Sequence, residues 1–188
     1  MNNGFEKIGE FELDMEALAK PVLKWTLILS ILFVGIHYLI NPFPSFSISG
    51  FLLSILFIIG EYILLIFLHE ICHLIGFYVF CGSSISQLKM GLDLKIGIAY
   101  ATTTQFMRNK DARKALLLPF WLTGVLPLIA GIYYDQLTLT LVSAWLIVGA
   151  YGDFAMYKKL RTVPSSIYVL DDSTQPKLHL YKKSDVHD

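Results

Sequence analysis

The placement of charge constrains this chain more than any other feature. All 15 Lys and Arg fall in three blocks, Lys7–Lys24, Lys89–Lys114 and Lys158–Lys183, and the stretches Trp25–Phe80 and Ala115–Tyr157 contain none. A membrane-crossing helix needs about 20 mostly apolar residues, so each stretch has room for two. Asn41-Pro42-Phe43-Pro44 divides the first, because two prolines end any helix there, and Asp135-Gln136 makes a tight turn in the second. Four spans are predicted, at about Val22–Ile40, Phe51–Phe80, Leu116–Tyr133 and Leu137–Tyr157. Composition agrees. The chain is 55% apolar and 16% charged, against roughly 25% charged in soluble domains, and its mean hydropathy is +0.58. Disorder and an ordinary soluble globule are excluded. A net charge of 0 gives no reason to expect nucleic acid as a partner, and Cys72 and Cys81 do not make a disulfide framework.

Four spans put both termini and all three basic blocks on one side, which the positive-inside rule assigns to the cytoplasm. The expected organisation is an acidic cytoplasmic leader at 1–21, carrying Glu6, Glu10, Glu12, Asp14 and Glu16, then a four-span core at 22–157 and a cytoplasmic tail at 158–188. The leader has no small-residue cleavage site, so the first span reads as a retained anchor. Within the core, a cytoplasmic loop at 81–114 bears strands. There Leu88, Met90, Leu92, Leu94, Ile96 and Ile98 occupy every second position, and that period predicts a half-buried strand or hairpin over 86–99. The tail offers two short runs, Ile167–Leu170 and Lys177–Tyr181, around a turn-rich segment. The fold class is mainly α: a polytopic membrane protein with four transmembrane helices plus short cytoplasmic β-strands or hairpins.

The second span contains His69-Glu70-Ile71-Cys72-His73. On a helix, residues i and i+4 share a face, so both imidazoles can meet one metal ion. Two hydrogen-bonded core histidines would be the plain alternative, but ionisable groups inside a span are costly and usually functional. A catalytic zinc site wants three protein ligands and an open position. Glu61 lies two turns away, about 12 Å along the helix, and His37 is near the outer end of the first span. His179 and His187, in the tail, are unconstrained candidates. Asp153 is at a matching depth: His69 is 18 residues past Phe51, about 27 Å, and Asp153 is 16 residues past Leu137, about 24 Å. An interfacial carboxylate beside Lys158 and Lys159 is the alternative reading of Asp153. Glu61 reads as a partner supporting a metal ligand or as a polar contact between spans, with no catalytic role. Cys72 reads as a packing residue, since it points away from the face that His69 and His73 share.

With Gly152-Asp153 in a later span, His69-Glu70-Ile71-Cys72-His73 resembles the site-2 protease type of intramembrane metallopeptidase. More closely, the chain is similar to the putative zincin peptidase family of small bacterial membrane proteins. The likeness runs from the His-Glu-x-x-His helix through Ala99–Thr104 and the Pro119 span to Gly152-Asp153 and Leu160-Arg161-Thr162-Val163-Pro164, roughly residues 65–170. It implies one zinc ion held by His69, His73 and Asp153, with Glu70 catalytic, in a bacterial plasma membrane. In site-2 proteases the third-ligand motif reads Leu-Asp-Gly, whereas here Gly152 precedes Asp153, and no PDZ-like segment is present.

The expected function is hydrolysis of a peptide bond in a membrane or membrane-proximal peptide or protein substrate near the cytoplasmic face. Glu70 acts as general base toward water activated by zinc. The alternating strand could pair with an unwound substrate by strand addition, or merely cover the interface. A non-hydrolytic zinc-binding membrane protein that holds or escorts a partner is the alternative, and intact Glu70 speaks against it. A conduit or immunity-type protein is a third reading, poorly served by Glu61, Glu70 and Asp153 as the acidic groups of the spans.

Overall fold

Long apolar stretches have little choice but to satisfy their amides internally, and here they do so as helices. The computed structural model describes residues 4–43, 45, 47–93, 98–172 and 175–184, less the side chains of 93 and 98. Among the described residues, four helices are long and apolar enough to cross a membrane: Met15–Ile40, Ile48–Cys81, Asn109–Tyr133 and Leu137–Leu160. Each contains one of the predicted spans and overruns it, by seven residues at the N-terminus of the first and third. Helical hydrogen bonds do not stop where hydropathy does, so Met15–Pro21 and Asn109–Ala115 continue the same ladders into polar sequence. The first two helices are α1 (Met15–Ile40) and α2 (Ile48–Cys81). The third is α3 (Asn109–Pro119), a wider π-turn at Phe120–Val125, and α4 (Leu126–Tyr133). The fourth breaks at Ala150 into α5 (Leu137–Gly149) and α6 (Tyr151–Leu160).

The chain folds into two compact units that do not follow sequence order. The boundary runs through the continuous helix α2, after His69, and through the third and fourth helices. One unit comprises 15–69 and 119–151. Its core is Leu65, Val142 and Leu146, with Ile58, Ile66, Leu139 and Trp145 packed around them. Small residues let these helices approach closely: a Cβ on Gly131 would lie 2.7 Å from the Thr140 nitrogen, and one on Gly124 would lie 2.9 Å from Cγ1 of Ile147. Ile31, Leu39, Phe57, Ile63, Leu126 and Ile129 are exposed, an apolar outer face of the kind that seeks lipid or protein rather than water.

The other unit comprises 4–14, 70–118 and the described residues from 152 onward. It holds a four-stranded antiparallel sheet in the order β1 (Phe5–Glu12), β6 (Lys177–Lys183), β5 (Tyr168–Asp171), β4 (Met107–Arg108). The strand at 5–12 lies in what reads from sequence as a simple acidic leader. It pairs with the far end of the chain, Phe5 opposite Lys183 and Glu12 opposite Lys177, so the two ends of the chain share one sheet. A separate hairpin joins β2 (Leu88–Asp93) and β3 (Ile98–Thr103), Leu88 opposite Thr103. The alternating run over 86–99 is thus one strand and the start of the next, and residues 94–97 lie outside the described residues. Phe77, Met107, Ala115, Met156, Leu160, Val169 and Leu180 form the core of this unit. Asn109 secures it from α3, its Nδ2 reaching the carbonyls of Leu160, Val163 and Pro164 at 2.9, 3.0 and 3.0 Å.

Candidate metal centre

His69 and His73 stand one turn apart on α2, and both are buried. Asp153 enters from the first turn of α6. One ligating atom from each of His69, His73 and Asp153 lies within 4.8 Å of the other two. His73 Nε2 is 3.5 Å from Asp153 Oδ1. Two donors each about 2.0–2.1 Å from a tetrahedral ion sit about 3.3–3.4 Å apart, so this pair has nearly the separation that a shared ion demands. The donor set of two imidazoles and a carboxylate is one that zinc accepts, and the residues present fit the ion. Glu70 adjoins His69 on the same helix and is half-buried.

Each imidazole has a hydrogen-bond partner at Nδ1. His73 Nδ1 lies 3.3 Å from the carbonyl oxygen of Ala115. A carbonyl only accepts, so Nδ1 carries the proton and the lone pair of a neutral ring is on Nε2. His69 Nδ1 lies 3.2 Å from Oγ1 of Thr123, itself buried in the π-turn. Close packing delivers the Ala115 carbonyl: a Cβ on Gly76 would lie 2.8 Å from Cα of Ala115, so glycine is what allows α2 and α3 to meet there.

The remaining candidates lie elsewhere. Glu61 accepts a hydrogen bond from Thr138 Oγ1 at 3.2 Å, while its other oxygen is buried without a hydrogen-bond partner. His37 is buried against Thr140 and Asp135. His179 belongs to β6, with Nε2 3.0 Å from Asp172 Oδ2 and Nδ1 3.3 Å from Glu10 Oε2. His187 lies outside the described residues. Cys72 is a buried free cysteine.

Sequence reasoning missed Thr123, the Ala115 carbonyl and Asp171. A lone hydroxyl in an apolar span was the available signal for Thr123, whereas a backbone carbonyl leaves none. Asp171, at the end of β5, is half-buried, and desolvation pushes its carboxyl up to about 7 against the opposing pull of a Thr102 hydrogen bond and the charge of His73. On the same sheet the Lys7 and Lys177 ammonium groups hold the Glu10 carboxyl down at about 2.

Residues 62–168 match the protein family described as Putative zincin peptidase. No curated protein and no solved structure gives a significant match. The matched stretch is more than half of the 188 residues and contains His69, Glu70, His73 and Asp153. On that extent of match, the chain belongs to the putative zincin peptidase family.

Proposed function

We propose that this protein is a membrane-embedded zinc metallopeptidase that hydrolyses a peptide bond of a membrane or membrane-proximal substrate near the cytoplasmic face. Family membership supports the class, a zinc peptidase. The observation that carries the finer reading is the convergence of His69, His73 and Asp153 on α2 and α6, with Glu70 beside them. In this reading those three residues hold the ion and Glu70 is not a ligand. Zinc, when bound, supplies Lewis acidity toward the scissile carbonyl and the attacking water. Glu70 takes the proton of that water and passes it to the leaving amine nitrogen. The burial of His69 and His73 keeps the surroundings poor in water, where a single carboxylate is an effective base.

Four apolar helices and three basic blocks on one side support a multi-pass protein of the bacterial plasma membrane with both termini cytoplasmic. A peptidase in such a setting must admit water and unwind a substrate helix whose amides are already satisfied. A site near the end of a span eases both. The β2–β3 hairpin is a two-stranded sheet of its own, and an outer edge of it can take up an unwound substrate as a further strand. Leu92→Pro in a folded protein should then slow cleavage.

Wild type and Glu70→Gln, reconstituted in lipid bilayers with a panel of tagged single-span peptides, test the proposal. Hydrolysis should fall by about 10²–10⁴-fold in Glu70→Gln, with zinc content unchanged. Equal cleavage by the two proteins contradicts the role of Glu70. Stoichiometric zinc with no cleavage of any peptide favours a protein that holds or escorts a partner.

A further inference from the structure

Pro119 sits where the third helix changes from α3 to the π-turn, and it bears on the chemistry of both histidines through the hydrogen bonds around it. Proline has no N–H. In an α-helix the N–H of residue 119 would bond the carbonyl of residue 115, four back, so Pro119 leaves the Ala115 carbonyl without that partner. This is the carbonyl that His73 Nδ1 meets at 3.3 Å. One turn on, the Thr123 hydroxyl donates to the carbonyl of Pro119 at 2.9 Å. A hydroxyl has one proton. With it committed to Pro119, Thr123 Oγ1 can only accept from His69 Nδ1 at 3.2 Å. The π-turn is real in hydrogen bonds as well as in outline, with the Leu126 N–H reaching the Trp121 carbonyl five residues back. Such wider turns recur at functional sites.

We infer that Thr123, with its proton taken up by the Pro119 carbonyl, is a positioning residue that locks His69 in the Nδ1–H tautomer and so leaves Nε2 as the ligating nitrogen. Pro119 does the same service for His73 by releasing the Ala115 carbonyl. Partners of this kind fix ring orientation and raise ligand basicity, and their loss typically costs 10–100-fold in metal affinity. The inference rests on the metal-site reading for its consequence but not for its geometry, because the tautomers are properties of the metal-free protein.

The test is therefore made without metal first. The ¹⁵N spectrum of histidine-labelled, zinc-free protein in detergent micelles, assigned with His69→Ala and His73→Ala, should show both rings as single Nδ1–H tautomers. Thr123→Val, which replaces the hydroxyl by a methyl of similar size, should convert the His69 signal to a mixture and weaken zinc binding by about 10–100-fold in competition with a chelator. Thr123→Ser should restore both. A purely structural threonine would leave the tautomer unchanged. A wild-type His69 found as the Nε2–H tautomer overturns the inference without any variant, and so does Thr123→Val with wild-type tautomer and zinc affinity. Failure of the peptidase reading looks different: wild-type protein that binds no zinc contradicts that reading while the ¹⁵N result still decides the role of Thr123.

Discussion

His37 and His69 are built alike on one side and differently on the other. Each is buried, and each turns Nδ1 to a threonine hydroxyl, Thr140 at 3.1 Å for His37 and Thr123 at 3.2 Å for His69. In both cases the threonine gives its proton to a carbonyl four residues back, that of Gln136 or of Pro119. The two diverge at Nε2. That of His37 lies 3.0 Å from the half-exposed carboxylate of Asp135, so both ring nitrogens are engaged within the protein. His69 instead stands in one group with His73 and Asp153. In the proposed reading, what separates a histidine that ties helices together from one that would hold a metal ion is the nitrogen remaining after local hydrogen bonds are made. The residue type and its burial in an apolar helix are the same.

The sharpest break between the two would come from removing each imidazole. His69→Ala and His73→Ala should lower zinc affinity by more than the roughly 100-fold that loss of a supporting partner can cost, and abolish hydrolysis. His37→Ala should keep one zinc per chain and lose about 1–3 kcal/mol of stability through the unsatisfied buried groups. Metal analysis and thermal unfolding in micelles read both, and a His37→Ala protein stripped of zinc would erase the distinction. Next come the glycines that allow each threonine or carbonyl to approach. Gly76→Ala and Gly131→Ala each force a methyl to within 3 Å of neighbouring backbone, and overpacking of this kind costs about 1–3 kcal/mol. The two should destabilise comparably, yet only Gly76→Ala should weaken zinc binding, because it displaces the Ala115 carbonyl. Equal zinc affinities in a chelator titration would show that His73 does not depend on that carbonyl.

The smallest effect separates the sheet from both clusters. Asp171 titrates at about 7, above its ordinary range, so its contribution to stability is fully present below about pH 4 and is lost as pH rises through 7. Glu10 has the opposite sign. Its carboxyl is held near 2 by Lys7 and Lys177, so its contribution is present above about pH 4.5 and is lost as pH falls toward 2. Asp171→Asn should flatten the change in unfolding temperature between pH 5 and 8 and leave the loss below pH 4 in place. A pH profile unaltered by Asp171→Asn would assign that change to the histidines instead.

Most of the helical architecture was legible because Trp25–Phe80 and Ala115–Tyr157, which hold no Lys or Arg, are each long and apolar enough for two helices of spanning length. The spacing of His69, Glu70 and His73 was legible for a similar reason, since one helix sets it. Elsewhere the controlling partner is remote in sequence. Phe5–Glu12 becomes a strand only because Lys177–Lys183 pairs with it, and the alternation over 88–98 allowed a strand or a hairpin without saying which, or that β3 runs on to Thr103. The difference between His37 and His69 was legible only as membrane depth. Its chemical basis lies in Asp135, Thr140, Thr123 and the Ala115 carbonyl, and a backbone carbonyl freed by Pro119 has no signature beyond the proline itself.

Zinc K-edge absorption of the wild type and Asp153→Ala tests the central claim most directly. The claim predicts one zinc per chain bound by nitrogen and oxygen at about 2.0–2.1 Å, with imidazole scattering from two rings and a spectrum that changes when Asp153 is removed. Sulfur at about 2.3 Å, which would bring in Cys72, or a spectrum indifferent to Asp153→Ala would contradict it.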